Sequence, residues 1–245
     1  MPPKEIHLDS LSIRLVSPMH IGTGTARGLV NRTIVRGRDG LAYVPGSTLK
    51  GKTRDACEAL ADLSGIGCRG HAAGAVEERR KCIVCRVFGG PGQPSGLRWH
   101  SAQLSPEWIE ALGGRRERPF IYGQTTTRTQ VQLSRVRGTA AEARLFTSEL
   151  AASELTFHSR PALSGRCRLT PMEVVNDPDV YYELVLLCAG LKLLARLGGG
   201  KSRGAGECQI ELPESIRVGR QEIPIERQLA NVEGLALFAD EVDAE

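Results

Sequence analysis

The stretch VYYELVLLCAGLKLLARLGGGKSRGAGECQIEL, from Val180 to Leu212, decides how the chain is read. It passes from an apolar helical segment (Val180, Leu184, Leu187, Leu191, Leu194) through a basic glycine loop to a strand that alternates over Glu207 to Leu212. The spacing predicts a helix over Val180 to Leu197, with the glycine cluster ending it as a C-cap. Five glycines stand within the ten residues Leu197 to Gly206, around Lys201 and Arg203. Gly200-Lys201-Ser202 matches the end of the nucleotide-binding pattern G-x-x-x-x-G-K-[ST]. The match fails because Ala195 occupies the first glycine position. It fails again because that motif needs strand, loop, helix, and the order here is helix, loop, strand. The amides of Gly199 and Gly200 and the cations Lys201 and Arg203 still suit the phosphates of a polyanion. A plain helix cap would need one glycine rather than five.

Working outward, Glu5 to Val16 alternates (Ile6, Leu8, Leu11, Ile13, Leu15) with one break in phase and ends at Ser17-Pro18. After the glycine-punctuated His20 to Thr25, the short apolar runs Thr33 to Val35 and Leu41 to Val44 flank Asp39-Gly40, which predicts a β-hairpin. Thr48 to Leu63 predicts a helix with Leu49, Ala56, Leu60 and Leu63 on its buried face, Ser47 as N-cap and Lys50, Lys52 and Arg54 near its start. Residues 64–100 lack apolar periodicity and are assigned to an insertion. Arg115 to Arg144 holds seven arginines against two glutamates, with Arg128, Arg135 and Arg137 among β-formers, as in an extended hairpin that tracks a phosphate backbone. Strand, hairpin, helix, insertions, strands, helix, loop and strand in that order predict an α+β fold of split β-α-β, ferredoxin-like type.

The 245 residues, 41% of them hydrophobic, suit one domain. With no charged-then-apolar leader at the start and no apolar run of membrane-spanning length, the expected compartment is the cytoplasm and no membrane partner is expected. The formal charge of +4 averages two unlike parts: residues 207–245 carry ten acids against three arginines, and the other 206 residues carry a net +11. A basic body of that kind points to a polyanionic partner. The seven cysteines, in a reducing compartment, are better read for metal than for disulfides. Cys68-x2-His71-x10-Cys82-x2-Cys85 offers four N/S ligands and no spare position, which describes a structural zinc site, with His100 as an alternative to His71. Cys57, Cys167 and Cys188 lie in or near apolar segments and are expected to be buried thiols.

Three segments, SPMHIGTG (17–24), GLAYVPGSTLKGKTRDACEAL (40–60) and GGGKSRGAGECQIEL (198–212), together resemble the RAMP superfamily of CRISPR-associated proteins, in particular the repeated backbone subunit of type III effector complexes. VQLSRVRGTAAEARLFTSE (131–149) resembles that family's thumb, and CIVCRVFG (82–89) its zinc-containing insertion. The resemblance implies a single RAMP-type domain over 1–245 with a ferredoxin-like (RRM-like) palm, a zinc-holding insertion at 64–100, a β-hairpin thumb at about 115–150 and an acidic tail at about 232–245. Its implied partners are guide RNA, complementary target RNA, other copies or related RAMP subunits, and the large and small subunits of an antiviral ribonucleoprotein. His20, Ser47, Lys50, Lys52 and Arg54 would face guide phosphates, joined by Lys201 and Arg203. Arg128 to Arg137 would sit on a thumb that wedges into the guide–target duplex. Members that cut target RNA carry an aspartate in the loop after the His-Ile-Gly segment. Here that position falls at or near Val30, and a valine cannot accept a proton from a ribose 2′-hydroxyl, so a subunit that holds RNA without cutting it is expected. The competing readings are a target-cleaving or precursor-processing endoribonuclease of the same fold and a generic zinc-stabilised RNA-binding domain.

Overall fold

A computed structural model of the chain describes residues 2–68, 78, 81–112, 121–175 and 177–239. The phase break in the first strand organises the sheet. Lys4–Leu8 (β1) buries Ile6 and Leu8, Leu11–Leu15 (β2) buries Leu11, Ile13 and Leu15, and Asp9-Ser10 between them shifts the alternation by one residue. An unbroken strand would turn one of these sets to solvent, because side chains alternate strictly with period two. After the edge strand Tyr43–Val44 (β3), Leu97–Trp99 (β4) gives way in the same manner to Ala102–Leu104 (β5). A long hairpin, Thr125–Leu133 (β6) and Ala140–Ala151 (β7), stands apart from both sheets. Thr156–Ser159 (β8) then passes into Leu163–Cys167 (β9), and Cys208–Glu211 (β10) into Ser215–Val218 (β11), before Gln221–Pro224 (β12) closes the far edge. Two sheets result, ordered β12-β11-β1-β9-β4 and β10-β2-β8-β5-β3, with antiparallel pairing throughout. The four continuing strands keep one order in both.

In the second sheet, β10-β2-β8-β5 is the 4-1-3-2 order of a β-α-β-β-α-β unit. Gly46–Leu63 (α1) lies between β2 and β5 in the chain. Ile83–Phe88 (α2) and Pro106–Ala111 (α3) are short additions, and Tyr182–Lys192 (α4) lies between β8 and β10. The architecture is thus the expected ferredoxin-like α+β fold. Helix α4 is buried on every side from Tyr182 to Leu191, packed against α1, α2 and the late helix Ile225–Leu229 (α5), as suits a helix apolar all round. Cys57, Cys167 and Cys188 are buried as expected, and burial pushes the Cys188 thiol up to about 12.

Several local expectations are corrected. The buried stripe of α1 is Gly46, Leu49, Thr53, Cys57 and Ala61, while Leu63 is 87% exposed. Thr53 can be buried because its hydroxyl donates to the Leu49 carbonyl, and a small residue at 57 lets α4 approach. The cap of α1 is Pro45, whose carbonyl accepts the Thr48 and Leu49 amides, so Ser47 stands exposed in the first turn instead. The hairpin around Asp39-Gly40 shrinks to the single bridge Arg36↔Ala42, because Tyr43 and Val44 leave to pair with β5. Asp39 caps that turn, its carboxylate accepting the Leu41 amide at 3.0 Å. Residues 82–99, assigned to an insertion, supply buried α2 and strand β4. Six apolar-rich residues are too few to show a period.

Gly190 marks where α1 and α4 touch, since a Cβ there would run into the Cys57 sulfur. Gly190→Ala is expected to lower unfolding stability by about 1–3 kcal/mol through overpacking. Cys57→Ala in the same chain should return part of that loss, as read by a double-mutant cycle in urea; strict additivity of the two changes would contradict the contact.

Candidate functional site

Helix α4 stops at Lys192, short of the predicted Leu197, because the next residues are needed as a ladder partner. Leu197 N–H donates to Gly206 O at 2.8 Å, Cys208 N–H to Ala195 O at 2.9 Å, and Arg196 bridges Glu207. The glycine loop is thus held at both ends. Gly198, Gly200, Gly204 and Gly206 take positive φ, and a Cβ on Gly198 or Gly206 would strike the carbonyl of His20 or Leu197. Lys201, Ser202 and Arg203 form a short 3-10 turn between the left-handed Gly200 and Gly204. Gly199 N–H donates to His20 O at 2.8 Å, which ties the loop to the segment that follows β2.

The hairpin β6–β7 leans on the same place. The segment from Met19 to Arg36 runs beside β7: Met19 bridges Ala151, Asn31 N–H donates to Thr147 O at 2.9 Å, and Glu149 N–H to Arg32 O at 2.8 Å. Glu149 closes this seam. Its carboxylate accepts Arg36 Nη1 at 2.9 Å, Arg36 Nη2 at 2.5 Å and the Ile34 amide at 3.2 Å, and its carbonyl accepts His20 Nδ1 at 2.7 Å. Burial pushes the Glu149 carboxyl up, but the Arg36 guanidinium and the Ile34 amide outweigh it and hold the group below the ordinary carboxylate range.

A cleft opens between loop and hairpin, lined by His20, Arg32, Arg128, Gln130, Gly200 and Arg203. Arg203 Nη1 reaches Gln130 Oε1 at 3.4 Å across it, and Arg32 lies over the Phe146 ring at 5.0 Å. Helix α1 meets the loop at Lys52. Burial and the adjacent Lys52 ammonium lower the Lys201 pKa, while Asp55, 2.5 Å from Lys52 Nζ, raises that of Lys52. Two neighbouring ammonium groups repel until an anion arrives. Lys50 is half-buried on the same helix. Arg54 is turned elsewhere: Nε bonds Glu58 at 2.7 Å and Nη1 the Gly89 carbonyl at 3.1 Å, beside Cys68 and Cys85. Arg135 and Arg137 sit exposed at the hairpin tip, 134–139, away from the cleft lining.

The sulfurs of Cys68, Cys82 and Cys85 lie within 4.8 Å of one another, with Cys68 and Cys85 3.7 Å apart. His71 lies outside the described residues. His100 is not in the group and bonds Ser164 Oγ at 3.2 Å. Burial raises the Cys82 and Cys85 thiols above their ordinary value, a cost that a bound cation offsets by taking the thiolate. Three sulfurs at this spacing can hold a metal ion, and soft thiolate ligands fit zinc. Helix α2, which carries Cys85, is anchored in the core. Arg86 donates to Glu183 Oε1 at 3.0 Å and to Thr170 Oγ1 at 2.8 Å, with both charged side chains almost wholly buried.

Of the residues singled out in the sequence, His20, Gly199, Gly200, Arg203 and Arg128 share the cleft, and Lys52 stands beside Lys201. Glu149, Arg36, Arg32 and Gln130 escaped the sequence reading. A basic loop at 27–38 was the available signal for the arginines, and nothing local marks Glu149 as their partner. A family model described as the RAMP superfamily matches residues 12–209, a span that begins in β2 and ends in β10 and so brackets the split β-α-β palm. No curated protein matches the chain.

Because the Glu149 pKa lies below that of an unfolded carboxylate, about 4.3, its contribution to stability is present above that value and is lost as pH falls through the folded pKa. Glu149→Gln is expected to cost about 1–2 kcal/mol at pH 7 in urea unfolding. The difference from the parent chain should shrink as pH drops below about 4; a pH-independent difference would assign the effect to packing alone.

Proposed function

Because the chain belongs to the RAMP superfamily, a group of CRISPR-associated RNA-binding proteins, we propose that it is a guide-RNA-binding backbone subunit of a type III effector complex, holding target RNA without cutting it. The observation that carries this reading is the meeting of the glycine loop, His20, Arg32 and the hairpin's Arg128 at one cleft, with Lys52 beside Lys201 on the flank of that loop. Lysines and arginines carried on separate elements and converging on one loop are what a bent, single-stranded phosphate backbone requires. In this reading Ser47, Lys50, Lys52, Lys201 and Arg203 hold guide phosphates, and Arg54, spent on Glu58 and Gly89, braces α1 against the cysteine group. The hairpin is the thumb. Beside Arg128, Arg135 and Arg137 it exposes Val131, Leu133, Val136 and Leu145, apolar side chains suited to wedging between base steps. Copies stacking along one guide, together with the large and small subunits of the complex, would act in the cytoplasm in antiviral defence. Among the described residues no helix is long and apolar enough to cross a membrane.

Holding without cutting rests on the loop of Val30. Arg27 and Val30 close a tight turn with bonds of 2.9 and 3.1 Å, and residues 20–34 contain no carboxylate. The nearby Glu149 is taken up by Arg36 and Ile34. Protein purified with its co-expressed neighbours is expected to carry short RNAs of defined length, and labelled complementary RNA should stay intact in Mg²⁺. Lys52→Ala with Lys201→Ala should weaken RNA binding and reduce the salt slope by about 1.4, near 0.7 per phosphate contact on a single strand. Regularly spaced cuts in the target would move the protein to the endoribonuclease reading, and RNA-free monomer would move it to a generic RNA-binding domain.

We assign zinc to Cys68, Cys82 and Cys85, with His71 as the fourth ligand. Metal analysis should give about one zinc per chain, lost when Cys82 and Cys85 are both changed to serine; carefully prepared protein without zinc would remove the assignment.

A further inference from the structure

His20 differs in kind from the other groups of the cleft. Its Nδ1 lies 2.7 Å from the Glu149 carbonyl, and a carbonyl only accepts, so Nδ1 carries the ring proton. In the neutral ring Nε2 is then an acceptor, and among the described residues it has no hydrogen-bond partner. The ring edge is kept bare by glycine on both sides: a Cβ on Gly22 would stand 2.7 Å from Nε2, and one on Gly199 would stand 3.9 Å from Cδ2. His20 and Arg32 line both this cleft and the adjoining hollow bounded by Gly22, Gly24 and Asn31.

Three other side-chain acceptors beside the cleft are already engaged. Gln130 Oε1 takes Arg203, Asn31 Oδ1 takes the Thr147 amide at 2.8 Å, and the Glu149 carboxylate takes Arg36 and Ile34. Guanidinium groups only donate. Donors serve the phosphates of RNA and DNA alike, whereas the 2′-hydroxyl is the group in RNA that has a proton to give to an acceptor and that DNA lacks.

We propose that His20 is the sugar-reading residue of the cleft, its Nε2 accepting the 2′-hydroxyl proton of one bound nucleotide and so selecting RNA. The inference rests on the RNA-holding reading above. It differs from the phosphate contact that the family resemblance implies, since an unprotonated Nε2 cannot donate to a phosphate oxygen.

The full-length protein can be titrated by fluorescence anisotropy with a short single-stranded RNA and with the 2′-fluoro form of the same sequence. The two ligands share their phosphates, and the fluoro form has no hydroxyl proton. At fixed ionic strength and pH, RNA is expected to bind about three- to tenfold tighter, the factor one net hydrogen bond supplies. His20→Phe should bring both ligands to one Kd. Gly22→Ala, which crowds Nε2 from the other side, should abolish the preference as well, so a misfolded His20→Phe does not decide the matter. Equal affinities in the parent protein, or a preference that survives both substitutions, overturn this inference and leave the RNA-holding reading standing. Failure to bind either ligand overturns both.

Discussion

A single glutamate holds the working parts of this protein in register. Glu149 presents its carboxylate to Arg36 and the Ile34 amide, its carbonyl to His20 and its amide to the Arg32 carbonyl. Every group it offers is used, and each of these four partners belongs to the palm segment 20–36. A two-stranded ribbon standing free in water is marginal by itself, so the long hairpin depends on this seam for its direction. The same residue sets which nitrogen of His20 carries the proton. Mechanical support of the hairpin and the chemistry of the cleft therefore meet in one side chain and its backbone.

The cysteine group is braced in a different way. Cys85 lies on α2, one residue before Arg86, whose guanidinium meets Glu183 on α4 in the core. Burial pushes the Glu183 carboxyl up, and the Thr170 amide and Arg86 pull it back. Such a pair is costly to desolvate and contributes orientation more than net stability. Here it points α2 so that Cys82 and Cys85 meet Cys68, and Arg54 on α1 reaches the carbonyl just after that helix. A metal at this point would tie the first helix to the core, not merely staple a surface loop.

Much of the palm was legible because its signals are local. Alternation gave β1 and β2 and even the phase break between them, the glycine cluster marked a loop between helix and strand, and the β-forming stretch after Thr125 marked the hairpin. What stayed hidden is set by partners far away in the chain. Leu63 looked like core on a helical wheel, but α1 turns a neighbouring stripe toward α4. Helix α4 ends early because Ala195 to Leu197 are claimed by residues 206–208. Gln124, fully buried, fixes the turn before β3 by bonding Ala42 N–H and Gly40 O across more than 80 positions. Arg36 and Glu149 are 113 residues apart, and no periodicity connects them. Arg54 belonged to a basic run that suggested phosphate contact, and its position on the wheel could not reveal Glu58 and Gly89 as its partners.

The strand order has a consequence for how the chain is made. β2 sits between residues 156–159 and 208–211, and β1 between 163–167 and 215–218, so the centre of each sheet waits for residues 156–218. At about 5–20 residues per second a ribosome takes roughly ten seconds or more to deliver those partners. During that interval the apolar rows Ile6, Leu8, Leu11, Ile13 and Leu15 have no ladder to join. The ladders of the hairpin and of helix α1 close between nearby residues; the apolar rows of β1 and β2 are what must be kept from aggregating until residues 156–218 have been made.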